Sequence, residues 1–237
     1  MEKSYEEIHR VIDLVNPKAR PPVFRGSTGY LPDSKTPVQS DAVADLIERA
    51  MATNEEKLHV VAIAAPTNVA SALLVEPRIA KRIVIIWLGG HAPYWPNTRE
   101  FNLEQDMPAS RIILDSPAPL VLIPCKPVAS HMLTTVCELE GQLAPFSKLG
   151  KYLTEIVATY SPGNRPGWSK PIWDIAATAW VLNNGWLTTE EAPSPLLTDE
   201  VTWGPSSGRR SIQIAREVDR DAIFGDFYAR AQLSGGQ

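Results

Sequence analysis

Several scarcities narrow this chain before any motif does. Two cysteines occur in 237 residues, and Cys125 and Cys137 show neither a metal-ligand spacing nor a disulfide framework. No apolar run reaches the roughly 20 residues that cross a bilayer as a helix. No basic cluster stands out: 23 Lys and Arg are scattered among 27 Asp and Glu, for a formal net charge of −4. That balance argues against a nucleic-acid groove and against a polybasic membrane contact. The first residues, Met1-Glu-Lys-Ser-Tyr-Glu-Glu7, are charged and helix-forming, unlike a signal peptide. There is no internal repeat and no low-complexity linker. The expectation is a soluble, reduced, cytoplasmic protein.

With 44% hydrophobic residues, a single α/β domain over 1–237 has ample core. Tyr5, Ile8, Val11, Ile12 and Val15 have helical spacing and predict a helix over 4–15. Pro21-Pro22-Val23-Phe24 reads as a short strand entering a loop. Ser40 suits the cap of a helix carrying Val43, Leu46, Ile47 and Ala50. Leu58 to Ala64, Ile83 to Leu88 and Pro119 to Ile123 are apolar, strand-like runs. Helices at Val69 to Leu74 and about Pro108 to Leu114 separate them. This alternation predicts an open, mostly parallel sheet flanked by helices. Further on, helices are expected at Ala144 to Tyr160, Ile172 to Leu182 and about Asp221 to Leu233, with a loop over 161–168. A small C-terminal hairpin would pair Val201–Trp203 with Ser211–Ala215. The chain opens on a helix, where a parallel α/β domain usually opens on a strand, so the first strand of the sheet is expected to be missing.

The densest chemistry lies at Trp87-Leu-Gly-Gly90 and Glu100-Phe-Asn-Leu-Glu-Gln-Asp106. Ligands of open α/β sheets sit beyond the carboxyl ends of the strands, where such loops collect. Gly89 and Gly90 permit positive φ or a backbone close to a ligand. Glu100 and Asn102, two apart in an extended segment, point the same way and offer a carboxylate and an amide to vicinal hydroxyls. That is a sugar-site pattern. Asp106 reads as a helix cap with Pro108 just inside the helix. Cys125 reads as a small buried hydrophobe, because no Gly-x-Ser-x-Gly elbow accompanies Ser130 and His131.

Four segments, in order, resemble the inosine–uridine-preferring nucleoside hydrolase family. They are Ala65-Pro-Thr-Asn-Val-Ala-Ser-Ala-Leu73, Trp87-Leu-Gly-Gly90, Glu100-Phe-Asn-Leu-Glu-Gln-Asp-Met-Pro-Ala-Ser110 and Trp173-Asp-Ile-Ala-Ala-Thr-Ala179. The resemblance covers about residues 20 to 225 and implies a nucleoside-hydrolase-like α/β fold, a ribonucleoside substrate, a calcium (Ca2+) cofactor and a homo-oligomer. It implies that water attacks C1′ with calcium assistance, releasing ribose and free base. It places Asp174 and Glu100 as catalytic residues. Thr67, by its carbonyl, and Asp174 would be metal ligands; Asn97, Glu100, Asn102 and Trp173 would contact substrate. Thr67-Asn68 suits a helix cap equally well, and Asp174 suits a helix dipole. Trp95, Trp168 and Trp173 are candidates for a base pocket; Trp87, Trp180, Trp186 and Trp203 are expected in packing.

Two departures from the family pattern stand out. The family's Asp-rich loop has no counterpart here, which removes most of the expected calcium carboxylates. Trp173 replaces a histidine that can protonate the departing base, and an indole N–H cannot act as an acid near neutral pH. His91 is the candidate substitute, against the alternative of a solvated or structural histidine. The alternative function is a non-catalytic or truncated relative that binds a nucleoside or sugar without turnover. A third is another hydrolase of this architecture that uses Glu100 as nucleophile or base.

Overall fold

The computed structural model describes residues 1–52, 56–160 and 167–233. Helices α1 (Glu2–Val15) and α2 (Asp41–Ala52) precede strand β1 (Leu58–Ala62). Helix α3 (Thr67–Val75) leads to β2 (Ile83–Leu88), and α4 (Phe101–Gln105) with α5 (Met107–Asp115) leads to β3 (Leu120–Ile123). Then come β4 (Leu133–Thr134), α6 (Val136–Gln142), α7 (Lys148–Thr159), β5 (Lys170–Pro171) and α8 (Ile175–Leu182). After them follow β6 (Leu187–Pro193), β7 (Leu196–Leu197), β8 (Trp203–Gly204), β9 (Ser211–Val218) and α9 (Arg220–Leu233).

The main sheet has the order β1-β2-β3-β9-β6. Its first three pairings are parallel, and β6 runs antiparallel to β9. The expected open, mostly parallel sheet with helical flanks is therefore present. Alternation along the strands explains why these runs are apolar throughout. Ile83, Ile85 and Trp87 of β2 face a core built with α2, α3 and α5, while Ile86 and Leu88 face a second core with α8 and α9. Leu120 and Leu122 of β3 share the first core; Val121 and Ile123 share the second. A strand covered on both faces has no polar side to show.

Several boundaries differ from the sequence expectation. No strand forms at Pro21–Phe24: two adjacent prolines remove N–H donors that a ladder needs. The helix expected over Ala144–Tyr160 starts later, as α7 at Lys148, where Ser147 caps it with a hydroxyl that accepts from the Gly150 N–H; α6 is a separate helix that ends before that span. The expected hairpin is also different. Ser211–Val218 pairs with β6, which carries Thr188, Thr189, Glu190 and Glu191 and so lacks an apolar signature. Trp203–Gly204 pairs with Leu196–Leu197 instead. Of the loop expected over 161–168, residues 161–166 lie outside those described, as do the tail residues 234–237.

Replacing Ile86, which is fully buried, by Ala should cost about 2–5 kcal/mol. The same truncation at Val61, exposed on the edge strand β1, should cost no more than about 0.5 kcal/mol. Urea denaturation of the two variants checks this placement of core and edge; equal losses would contradict it.

Candidate active site

The loops after β2 and β3 are laced together by main-chain bonds. The Cys125 N–H donates to Gly90 O at 2.8 Å, and the Ala92 N–H donates to Lys126 O at 2.8 Å. Gly89 and Gly90 are needed here, for reasons of protein packing. A side chain at Gly89 would overlap the buried Trp87 indole, and Gly90 has φ +66° with Thr98 and Trp203 against it. The close approach expected toward a ligand is made at Gly89 toward Trp87.

Glu100 is buried and caps α4. Its Oε2 accepts from the Gly90 N–H at 2.9 Å and the Leu103 N–H at 3.1 Å, and its Oε1 accepts from the Asn102 N–H at 3.0 Å. Capping was expected of Asp106 alone, and both acids do it. The Asp106 Oδ1 accepts from the Ala109 N–H at 3.0 Å; its Oδ2 accepts from Leu31 N–H at 3.0 Å and from the Thr67 hydroxyl at 2.6 Å. Thr67 is the first residue of α3, so its side chain ties α3 to α5. Asn102 is buried and its amide N–H donates to Leu88 O at 3.0 Å, leaving its Oδ1 without a donor among the described residues. The Asn97 Oδ1 accepts from the Arg99 N–H at 3.1 Å within the same loop.

Electrostatics draw three of these groups together. Burial raises the Glu100 pKa; its three N–H bonds pull it down, and the Asp174 charge pushes it up again. Asp174 has an exposed side chain by area, yet it stands in a recess that withdraws enough water to raise its pKa. The Cys125 thiol is pushed up to about 12, by burial first and then by the Glu100 and Asp174 charges. It is protonated at neutral pH, which agrees with its reading as an inert hydrophobe. Glu100, Cys125 and Asp174 thus lie within electrostatic reach of one another, although they are far apart in sequence.

His91 is buried, with no partner on Nδ1. Burial, then Lys126, lowers its pKa, so the ring is held neutral. Its main chain is fixed by Thr98 and by Trp203 Nε1, which donates to His91 O at 2.9 Å. This favours a structural histidine over a solvated one. Trp168 and Trp173 pack half-buried against the second core, whereas Trp95 is exposed and meets His91 edge-on at 6.3 Å. Trp87 is fully buried, and Trp180, Trp186 and Trp203 pack half-buried against the cores, as expected.

Sequence reasoning passed over a cavity of about 690 Å³ beside this site, bordered by Thr67, Asn68 and Phe101 together with α1 and the segment Phe24–Tyr30. The signal that could have found it is Asn68. Its Oδ1 accepts from Ser27 N–H at 2.9 Å, Ser27 Oγ at 2.8 Å and Ser40 Oγ at 3.2 Å, drawing the segment onto α3.

The family model for inosine-uridine preferring nucleoside hydrolase matches residues 5–225. The chain belongs to that family. An inosine-uridine preferring nucleoside hydrolase from Crithidia fasciculata is 24% identical over 216 residues, covering 84% of this chain and 68% of the relative. Two solved structures share the fold. A plant nucleoside hydrolase, the PpNRh1 enzyme, has a TM-score of 0.69 at 21% identity, over 83% of this chain and 69% of its own. The inosine-uridine preferring nucleoside hydrolase of Bacillus anthracis has a TM-score of 0.65 at 20% identity, over 81% of this chain and 65% of its own. The chain therefore spans about two thirds of the length of these family members.

Two stability measurements test the geometry. A carboxyl whose folded pKa is raised binds its proton more tightly in the native state, so ionisation costs native stability. Asp174→Asn should therefore unfold at higher urea than the parent at pH 7, and the difference should close as pH falls toward 3.8, the ordinary Asp value. A constant difference across that range would contradict the raised pKa. Asp106→Asn leaves one of three buried donors facing an amide N–H. It should cost about 1–3 kcal/mol at neutral pH, read from the same denaturation curves.

Proposed function

We propose that this chain hydrolyses the N-glycosidic bond of ribonucleosides to ribose and free base. The observation that carries the reading is that the Asp174 charge, at the start of α8, reaches the buried Glu100 carboxyl, and both carboxyls have raised pKa values. Perturbed carboxylates of this kind mark catalytic sites. Asp174 is open to solvent and, when ionised, is a stronger base than an ordinary carboxylate, suited to take a proton from the attacking water. As that water bonds to C1′, the C1′–N bond breaks and the base leaves with its electron pair, to be protonated from solvent. Glu100 places a fixed negative charge near the cationic ring formed on the way. The unpaired Oδ1 of Asn102 can accept a sugar hydroxyl, and the Asn97 amide keeps its N–H donors for another. Trp173 flanks Asp174 and leaves only part of its ring for substrate.

Calcium does not fit the donors in hand. The ion takes six to eight oxygens. Both oxygens of Glu100 accept main-chain N–H bonds, which leaves the Thr67 carbonyl and the Asp174 carboxylate as the oxygens that the resemblance offers. Asp174 is the free carboxylate here, and no group of three or more metal-binding side chains occurs among the described residues. A calcium shell at this site would draw most of its oxygens from elsewhere. The mechanism above therefore assigns the ion no step.

Self-association, which the family resemblance implies, agrees with the outer side of β1, which has no strand partner among the described residues and exposes Val61 and Ile63. None of the described helices is long and apolar enough to cross a membrane.

Reducing-sugar release from a panel of ribonucleosides, with and without added calcium, tests the function. Turnover by the parent is expected to fall at least about 100-fold in Asp174→Ala, the lower range for loss of an acid–base group. No turnover under either condition would move the chain to the alternative, a relative that binds without cleaving.

A further inference from the structure

The mechanism above leaves one buried titratable group unused. His91 is 5% exposed, and its Nδ1 has no hydrogen-bond partner among the described residues. A buried polar atom left in this way is rare in folded proteins and asks for a reason. The reason lies in what the ring is attached to.

Every main-chain N–H and C=O of Gly90, His91 and Ala92 is bonded. The Gly90 N–H donates to Glu100 Oε2 at 2.9 Å, and Gly90 O accepts from the Cys125 N–H at 2.8 Å. The His91 N–H donates to Thr98 Oγ1 at 2.9 Å, and His91 O accepts from Trp203 Nε1 at 2.9 Å. The Ala92 N–H donates to Lys126 O at 2.8 Å, and Ala92 O accepts from the Trp95 N–H at 2.8 Å. Thr98 is itself fully buried, with its N–H on Val201 O at 2.9 Å. A ring whose own backbone is pinned on both sides cannot leave its place alone. Any outward movement of His91 pulls on Gly90, one of the three donors that hold Glu100.

The charge balance around the ring is one-sided. Burial, and then the Lys126 ammonium, disfavour the charged imidazole, while the Gly90 and Arg99 carbonyls favour it to a lesser extent. Trp95 packs edge-on at 6.3 Å and Trp203 bonds the main chain, and neither brings a charge. The neutral ring can keep its one proton on Nε2 and leave only a lone pair at Nδ1. A second proton puts an N–H at Nδ1 with no acceptor among the described residues, and a second positive charge near Lys126.

We propose that neutral His91 is the positioning residue that keeps the Gly90 N–H on Glu100, and that protonation of its ring releases Glu100 from that donor. Resting on the function proposed above, this makes His91 an acid-side control of the reaction, through Glu100 and without touching substrate. A carboxylate that loses an N–H donor is a weaker acid. Glu100 then protonates more readily, and the negative charge near the cationic sugar is lost. The sign for stability follows the same direction. With the folded pKa below the ordinary 6.5, the unfolded chain takes up the proton first as pH falls. Native stability is therefore unaffected by His91 well above 6.5 and declines below it.

The test is a pH titration followed by NMR, with turnover measured over the same range, on the parent and two variants. The chain has four histidines, and His91→Gln identifies the His91 ring by its missing signal. In the parent the ring should titrate below 6.5, and the Gly90, Asn102 and Leu103 amides should shift with the same midpoint. In His91→Gln those amide shifts should disappear and the acid limb of turnover should move to lower pH. Lys126→Met removes an exposed charge, so it keeps the test valid even if His91→Gln folds poorly. It should move the ring midpoint, the amide shifts and the acid limb together to higher pH. A ring midpoint at or above 6.5, or amides that ignore it, would overturn the assignment. Amide shifts that follow His91 in a chain without turnover would keep the positioning role and remove the hydrolase. Turnover with an acid limb indifferent to both substitutions would do the reverse.

Discussion

The carboxylate of Glu100 is the fixed point around which the site is arranged. Three main-chain N–H groups converge on its two oxygens, from Gly90 at the end of β2 and from Asn102 and Leu103 at the start of α4. Without it those buried donors would lack partners, at a cost of about 1–3 kcal/mol each. Because the loops after β2 and β3 are bonded to one another, the position of Gly90 passes to Cys125 and Lys126. A single acid thus ties two strand ends and one helix start together.

Asp106 does the same one turn later in the chain. Its carboxylate joins the segment at Leu31, the start of α3 at Thr67 and the start of α5 at Ala109. The consequence for chemistry is that two of the acids in the loop are committed to structure. Asp174, at the start of α8, has no hydrogen-bond partner among the described residues, and partial loss of water around it raises its pKa. The same commitment of side chains explains the poor fit of a calcium shell, since oxygens that accept buried N–H bonds are not available to an ion.

Much of the framework was legible in the residues. Ile83 to Leu88 and Leu120 to Ile123 are apolar at every position because both faces of the sheet are covered. The helix stripes of α1 and α2 were equally plain. β6 was hidden because Thr188, Thr189, Glu190 and Glu191 keep an edge strand polar, and an edge needs only one ladder partner. The start of α7 was carried by Ser147, a local cap signal outweighed by the apolar pattern that placed the helix start at Ala144. At the site, Glu100 and Asn102 do not share the extended segment that their spacing suggested, because Asn102 lies in α4 and Glu100 is its cap. Nothing local distinguishes a carboxylate aimed at a sugar from one aimed at main-chain N–H groups.

By itself, the sequence determined the three parallel strands β1, β2 and β3, the amphipathic helices α1 and α2, and the four ordered segments that mark the family. Periodicity and composition are local properties, and burial on one or both faces leaves its record in them. Only the tertiary structure decided which acids are spent and which is free. It also placed Glu100, Cys125 and Asp174 within electrostatic reach of one another. Those outcomes depend on distances between segments separated by tens of residues, and such distances are fixed by packing, which no local pattern encodes.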